Sequence, residues 1–435
     1  MKFSKIFHFA GIFLLITSML TVASQAQTSM AAQPRQEKLL NGLKVLMWPV
    51  KTGDKVLIKL RVHSGSAFDP QGKEGVMKLL AENFFPDEAQ RDYFREDLGG
   101  SLEIITTYDF IEIDATVASS QMLAALDTIS QAITNPTIDK ENLAKVRSSL
   151  LAKLAELEGD QSYLADRAAA ARLLGTFPYG RPQLGTSETV AKIDFADLIF
   201  ARERFLTADN ATLTISGNFN ADLAYRAIRR NFGSWLKSDK LVPSTFRQPD
   251  QPDIDVQTFT SSKVSSGEVR FALRSVARSD SSFAASLVFN KILSDRFQTL
   301  VSKANSEKIT VTGREFRLPG YILLGYRSAS GDIIMPLPVT HQTAPDAPAF
   351  MKNNPILTLF TARITNAEFQ RAKTESAAEN STRTAAEVWL DAHTYDLKPA
   401  DDLKALDNVT IADVQKLADT MAKNPVATVV VKKQD

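Results

Sequence analysis

Residues 75–83, Gly75-Val76-Met77-Lys78-Leu79-Leu80-Ala81-Glu82-Asn83, decide the fold. Gly72 and Gly75 interrupt what precedes them, and Val76, Met77, Leu79, Leu80 and Phe84 then recur at helical spacing. Upstream, Val56, Ile58, Leu60 and Val62 take every second position, the period of a half-buried strand. Asn41-Gly42 marks a turn before another strand at residues 43–50. Downstream, Gly99-Gly100 punctuates the chain, and residues 102–117 read as strand with Ile111, Ile113, Ala115 and Val117 on one face. Amphipathic helices follow at 123–133 and 143–157, a rigid turn at 178–182, a helix at 195–205, a strand at 211–215 and a helix at 221–232.

From residue 241 to 256 the chain turns polar, with Pro243, Pro249 and Pro252 and no apolar run, which marks a linker. A similar order of elements then begins again. A strand at 269–273 precedes a helix at 282–293, strands at 309–316 and 321–326, and helices at 366–378, 385–393 and 411–421. Thr410 and Asp413 form a capping box for the last helix, and a strand at 426–431 ends the series. Residues 336–355 carry five prolines and read as an irregular loop. The organisation is a leader at 1–26, a first domain at 27–240, a linker at 241–256 and a second domain at 257–435, with slight direct identity between the halves.

Composition narrows the function. The 435 residues contain no cysteine, which excludes a disulfide scaffold, a thiol nucleophile, an iron–sulfur cluster and thiolate metal sites. Lys plus Arg number 51 against 50 for Asp plus Glu, a balance that argues against a general nucleic-acid binder. Lys2 and Lys5, the apolar run at 12–20 and the small residues Ser24 and Ala26 read as a secretory signal peptide cut after Ala26, implying a periplasmic or secreted protein. The other reading is a membrane anchor, but the run falls short of the roughly 20 residues that span a bilayer. No second long apolar run follows, so no stable membrane insertion is expected after cleavage.

Gly65-Ser66-Ala67, residues 75–83 and residues 178–184 stand in an order that resembles the zinc-dependent M16 peptidases, the pitrilysin and mitochondrial-processing-peptidase family, in their short two-domain form. Leu98-Gly99-Gly100, Asn135-Pro136, Ile215-Ser216-Gly217, Asn231-Phe232-Gly233-Ser234-Trp235 and residues 364–373 agree further. The resemblance implies an α+β fold of two homologous α/β-sandwich domains, each a mostly antiparallel sheet packed with helices. It also implies an inverted zinc motif, His-x-x-Glu-His, on the helix opened by Gly75, and a third ligand, a Glu, on a later helix.

This chain departs from that pattern at all four positions. Lys78 and Glu82 stand at the two His positions, Ala81 at the general base, and Lys153 at the third ligand when the helix at 138–157 is aligned on its apolar pattern. Glu156 or Glu158 would take that last place only if the register slipped. Ala81 has no atom that can activate water, and two ammonium groups around one carboxylate favour an internal ion-paired trio over a cation site. The family's substrate strand carries an Asn-Ala step where this chain has Glu103-Ile104. Its Arg and Tyr from the second half fall in residues 302–309, Ser302 to Ile309, where neither is kept. His63, His341 and His393 lack ligand-like spacing and read as ordinary surface or loop residues. Trp235 and Trp389 read as packing aromatics, and Lys303, Lys308 and Arg314 as a solvated face.

No metal or other cofactor is therefore expected. The expected function is that of a non-catalytic homologue, pairing as a heterodimer with an active zinc M16 peptidase and helping to bind peptide. The alternatives are a structural or peptide-holding homodimer in the cell envelope, and an atypical hydrolase.

Overall fold

The computed structural model describes residues 32–238, 241–243, 245–261, 266–302, 307–328 and 355–433. The expected leader, His341 and most of the proline-rich segment lie outside them. In the first half, strands β1 (Arg35–Lys38), β2 (Lys44–Val50) and β3 (Lys55–Val62) precede helices α1 (Val76–Glu82) and α2 (Glu88–Glu96). A hairpin of β4 (Ser101–Thr106) and β5 (Ile111–Ala118) leads to α3 (Met122–Thr134), α4 (Lys140–Leu157) and α5 (Gln161–Leu174). Then come α6 (Ser187–Ala191), α7 (Phe195–Phe205), β6 (Ala211–Asn218) and α8 (Ala221–Phe232). The second half runs β7 (Gln257–Ser261), β8 (Gly267–Arg274), α9 (Phe283–Ser302), β9 (Glu307–Arg314) and β10 (Tyr321–Ser328). It ends with α10 (Pro355–Thr361), α11 (Asn366–Asn380), α12 (Ala385–Tyr395), α13 (Pro399–Ala405), α14 (Ile411–Met421) and β11 (Ala427–Lys433).

The two sheets repeat one topology. The first is ordered β1-β2-β6-β3-β5-β4 and the second β7-β11-β8-β10-β9. β2 lies parallel to β6 as β7 does to β11, and the other pairs are antiparallel. β1, which precedes the first strand expected from the sequence, is the one strand without a counterpart among the described residues. No helix among the described residues is long and apolar enough to cross a membrane.

Each sheet buries one face under helices of its own half. Val56, Ile58, Leu60 and Val62 of β3 join Ile111, Ile113, Ala115 and Val117 of β5 in a core with α1, α3, α4, α7 and α8. Val269, Phe271 and Leu273 of β8 form the matching core with α9, α10, α11 and α14. The opposite faces are covered by exchange. α5 packs on β8 and β11 of the second sheet, whereas α12 packs on the first sheet, setting Ala385 and Ala386 against Leu46 and Trp48.

This exchange revises the reading of β3 as half-solvated. Lys59 and Arg61, on its polar face, are only 7% and 4% exposed, because α12 lies over them. Buried charge requires partners, and they are present. Arg61 Nε donates to Glu112 at 2.6 Å and its Nη1 to Asp391 of α12 at 2.8 Å, while Lys59 Nζ reaches Asp114 at 2.6 Å. The second sheet repeats the device, with Arg270 of β8 donating to Asp166 of α5 at 2.5 Å and to Glu268 at 2.8 Å.

Candidate functional site

α1 begins at Gly75, whose φ of 108° falls in the left-handed region that glycine tolerates. The buried Asp69 carboxylate accepts from Gly75 N and Met77 N, both at 2.8 Å, and so satisfies two of the backbone donors that open the helix. Burial pushes this carboxyl up to about 7, against the pull of those two N–H groups and of Arg181. Val76, Met77, Leu79 and Leu80 anchor the helix in the core. Lys78 and Glu82, four residues apart, share the remaining face.

Those two side chains are ion-paired, and the second cation on Glu82 is Arg91 of α2. Burial would raise the Glu82 carboxyl, but Lys78 and Arg91 together hold it below its ordinary value. Lys153 is not part of this cluster. It is exposed on α4 and forms no ion pair among the described residues, so the expected trio of Lys78, Glu82 and Lys153 is corrected to Lys78, Glu82 and Arg91. Glu156 is exposed and Glu158 accepts from Ser187 Oγ at 3.3 Å, so neither joins the cluster. Ala81 is completely buried. Arg91 carried no signal in the sequence beyond its helix, because the turn between α1 and α2 alone brings it back to Glu82.

Glu103 and Ile104 lie on β4, the outermost strand of the first sheet. Glu103 is exposed and Ile104 buried, and in register they face Asp114 and Ile113 of β5. Ser302 is the exposed last residue of α9, and Ile309 is half-buried on the edge strand β9. Lys303 lies outside the described residues, whereas Lys308 and Arg314 are exposed. Trp235 is buried and donates from Nε1 to Leu206 O at 2.9 Å, and Trp389 packs against the cluster of Leu46, Trp48, Ala385 and Ala386.

The histidines require a correction. His63 and His393 are brought together between the halves. His63 Nε2 lies 2.9 Å from Thr212 Oγ1 and His63 Nδ1 lies 3.0 Å from Thr394 Oγ1, while His393 Nδ1 lies 3.2 Å from the same Thr212 hydroxyl. Burial, followed by repulsion from Arg61, holds His63 well below its ordinary pKa. Burial and then Lys44 bring His393 down to about 4. Both rings meet hydroxyls, and the charges acting on them are mostly cations, with the Asp396 carboxylate opposing them at His393. Among the described residues no group of three or more His, Asp or Glu could hold a metal ion.

A second buried junction escaped the sequence reading. Tyr179 donates to Asp109 Oδ1 at 2.8 Å and accepts from Leu318 N at 3.2 Å, while Asp109 Oδ2 accepts from Arg317 N at 2.9 Å. Burial raises Asp109 to about 6. The turn at Pro178–Gly180 thereby clasps the loop between β9 and β10 of the second half.

Two family models match the chain in succession. Insulinase (Peptidase family M16) covers residues 44–187, and Peptidase M16 inactive domain covers residues 192–330. The chain belongs to the M16 peptidase family. An uncharacterized zinc protease of Rickettsia felis is 24% identical over 208 residues, 47% of this chain and 50% of that protein. The chain spans about half the length of the curated relatives it matches. A protease from Helicobacter pylori superposes with a TM-score of 0.78 at 15% identity, covering 92% of this chain and 100% of that one. The periplasmic protease PqqL from Escherichia coli gives 0.66 at 14% identity, covering 92% of this chain and 47% of that one. At these identities the superpositions show the fold alone, an α+β architecture of two M16-type domains.

A zinc ion, which the M16 family implies, does not fit the residues present. A divalent cation at this place on α1 would face the Lys78 ammonium, and the one nearby carboxylate, Glu82, is already engaged by two cations.

Proposed function

We propose that this chain is a non-catalytic M16 homologue that pairs with an active zinc M16 peptidase and helps to hold its peptide substrate. The observation that carries the reading is the ion pairing of Glu82 with Lys78 and Arg91 beside the buried Ala81. A closed charge cluster keeps α1 in place without metal, and alanine at the base position cannot take a proton from water. Both sheets and their covering helices are kept among the described residues, and such a frame is of use to a partner that supplies the chemistry. β4 pairs only with β5 among the described residues, so its outer edge offers backbone groups to an extended peptide. The residues ahead of Gln27, and the likeness to a periplasmic protease, support export to the periplasm.

Affinity purification of the tagged chain from its own organism tests the reading. A co-purifying chain with an intact His-x-x-Glu-His motif is expected in near-equal amount. Recovery of this chain alone, as monomer or homodimer, overturns it.

A further inference from the structure

The second half contains a cavity of about 600 Å³ between α9, β9 and the end of α11. In the repeated topology these elements stand where α1, β4 and α4 stand in the first half. Phe283, Leu287 and Val311 give it apolar walls, and most of the rest is polar.

The cations around it already have partners. Arg278 holds both oxygens of Asp402 at 2.8 Å, Arg383 meets Asp391 at 2.9 Å and Asp402 at 3.2 Å, and Lys291 meets Glu379 at 2.6 Å. Glu315 is different. Its carboxylate is engaged by its own backbone N–H and by Asn290 Nδ2 at 3.2 Å, and it has no ion pair among the described residues. Burial pushes it above its ordinary value, against weaker pulls from its own backbone N–H, then Asn290, Arg278 and Arg314. Asn290 Oδ1 is also buried and accepts no hydrogen bond. A half-buried carboxylate without a counter-charge beside a buried carbonyl without a donor leaves acceptor capacity that a cation could fill. Gly313 keeps the space beside them open, since a Cβ there would stand 2.3 Å from Glu315 Oε1 and 2.5 Å from Asn290 Nδ2.

We propose that this cavity is a binding site for a primary ammonium, with Glu315 supplying the counter-charge and Asn290 a further acceptor. A compact ammonium brings three donors to the one corner of the cavity where Glu315 and Asn290 Oδ1 present acceptors not taken up by the surrounding cations, and its alkyl stem would lie along Leu287. The group belongs either to a free amine or to a lysine side chain of a bound peptide. The site does not depend on the silent first half or on a partner subunit.

Titration calorimetry on the full chain tests it, with 1,5-diaminopentane as probe and 1,5-pentanediol as the neutral control. Saturable binding of the diamine, with none of the diol, is expected. Glu315→Gln should weaken it by about tenfold or more, and Gly313→Ala should do the same by filling the space, with both variants keeping the parent's circular dichroism and a cooperative unfolding transition. A peptide with a single lysine and its norleucine counterpart separate the sources: binding of the lysine peptide but not the free diamine assigns a peptide side chain. The proposal is overturned if neither amine saturates at millimolar concentration, or if both variants bind as the parent does.

Discussion

Arg61 on β3 and Asp391 on α12 meet at 2.8 Å across 330 positions of sequence, and Arg270 on β8 meets Asp166 on α5 at 2.5 Å in the mirrored arrangement. Each half thus lays a helix over the charged face of the other half's sheet. The arginine beneath gains a carboxylate from the strand below and another from the helix above.

Replacing Arg61 by Met leaves Glu112, which is 2% exposed, buried without its main partner. The expected loss is about 3–5 kcal/mol, read from the urea midpoint. Asp391→Asn should cost less, because Asp391 is half-buried and Glu112 remains to Arg61. Within a double-mutant cycle the two should couple by about 1 kcal/mol or more. Strict additivity would show that the bridge between the halves contributes nothing.

The imidazoles at the same junction set a pH dependence. An unfolded histidine takes its proton near the ordinary value of 6.5, whereas His393 folded takes it only near 4. The unfolded chain therefore binds more protons between those values, and this contribution to stability is lost as pH falls from about 6.5 toward 4, by roughly 3 kcal/mol at most. Asp69 and Asp109 act in the opposite sense. Their folded values are raised to about 7 and about 6, so their contribution is present in acid and is lost as pH rises through those values. Relative to the parent, His393→Gln should thus be least harmful at pH 4.5 and most harmful at pH 7.5. Parallel stability curves for the two proteins would refute the assignment.

Glu82→Gln should destabilise the chain by about 1–2 kcal/mol at neutral pH. Because the folded carboxyl is held low, that difference should be full above its unfolded value and fade as pH falls through the folded one. Zinc at millimolar concentration should raise the melting temperature of neither protein, since a ligand stabilises only what it binds. A zinc-dependent rise in the parent that disappears in the variant would contradict the closed cluster.

Gly185 has a φ of 77°, and a Cβ there would lie 2.1 Å from Glu74 O at the approach to α1. Gly185→Ala is expected to cost about 2 kcal/mol or more, measured by chemical unfolding. A neutral substitution would mean that this approach yields freely and does not fix α1.

Much of the architecture is legible in the sequence where periodicity is strong. The bounds of α7, α8 and α14 follow directly from their apolar spacing, and the Thr410–Asp413 capping box forms as read. α5 is not legible, for a physical reason. Its buried side chains include Ala165, Ala169 and Ala170, small residues that let it lie close on a foreign sheet but give almost no amphipathic contrast. The four degenerate positions can be read by resemblance, yet the actual partner of Glu82 cannot. Lys153 and Arg91 are both cations on helices, and only the packing of α2 against α1 separates them. The meeting of His63 and His393 at the Thr212 hydroxyl is hidden in the same way, because it depends on α12 crossing to the first sheet.

The exchanged helices also bear on how the chain is made. When β6 closes the first sheet at Asn218, the helix that covers Lys59 and Arg61 has not yet been synthesised. At about 5–20 residues per second, the ribosome needs on the order of ten seconds or more to reach the end of α12. Throughout that interval the first half carries a bare, highly charged sheet face. The ion pair of Arg61 with Asp391 over that face therefore forms only after the second half has been made.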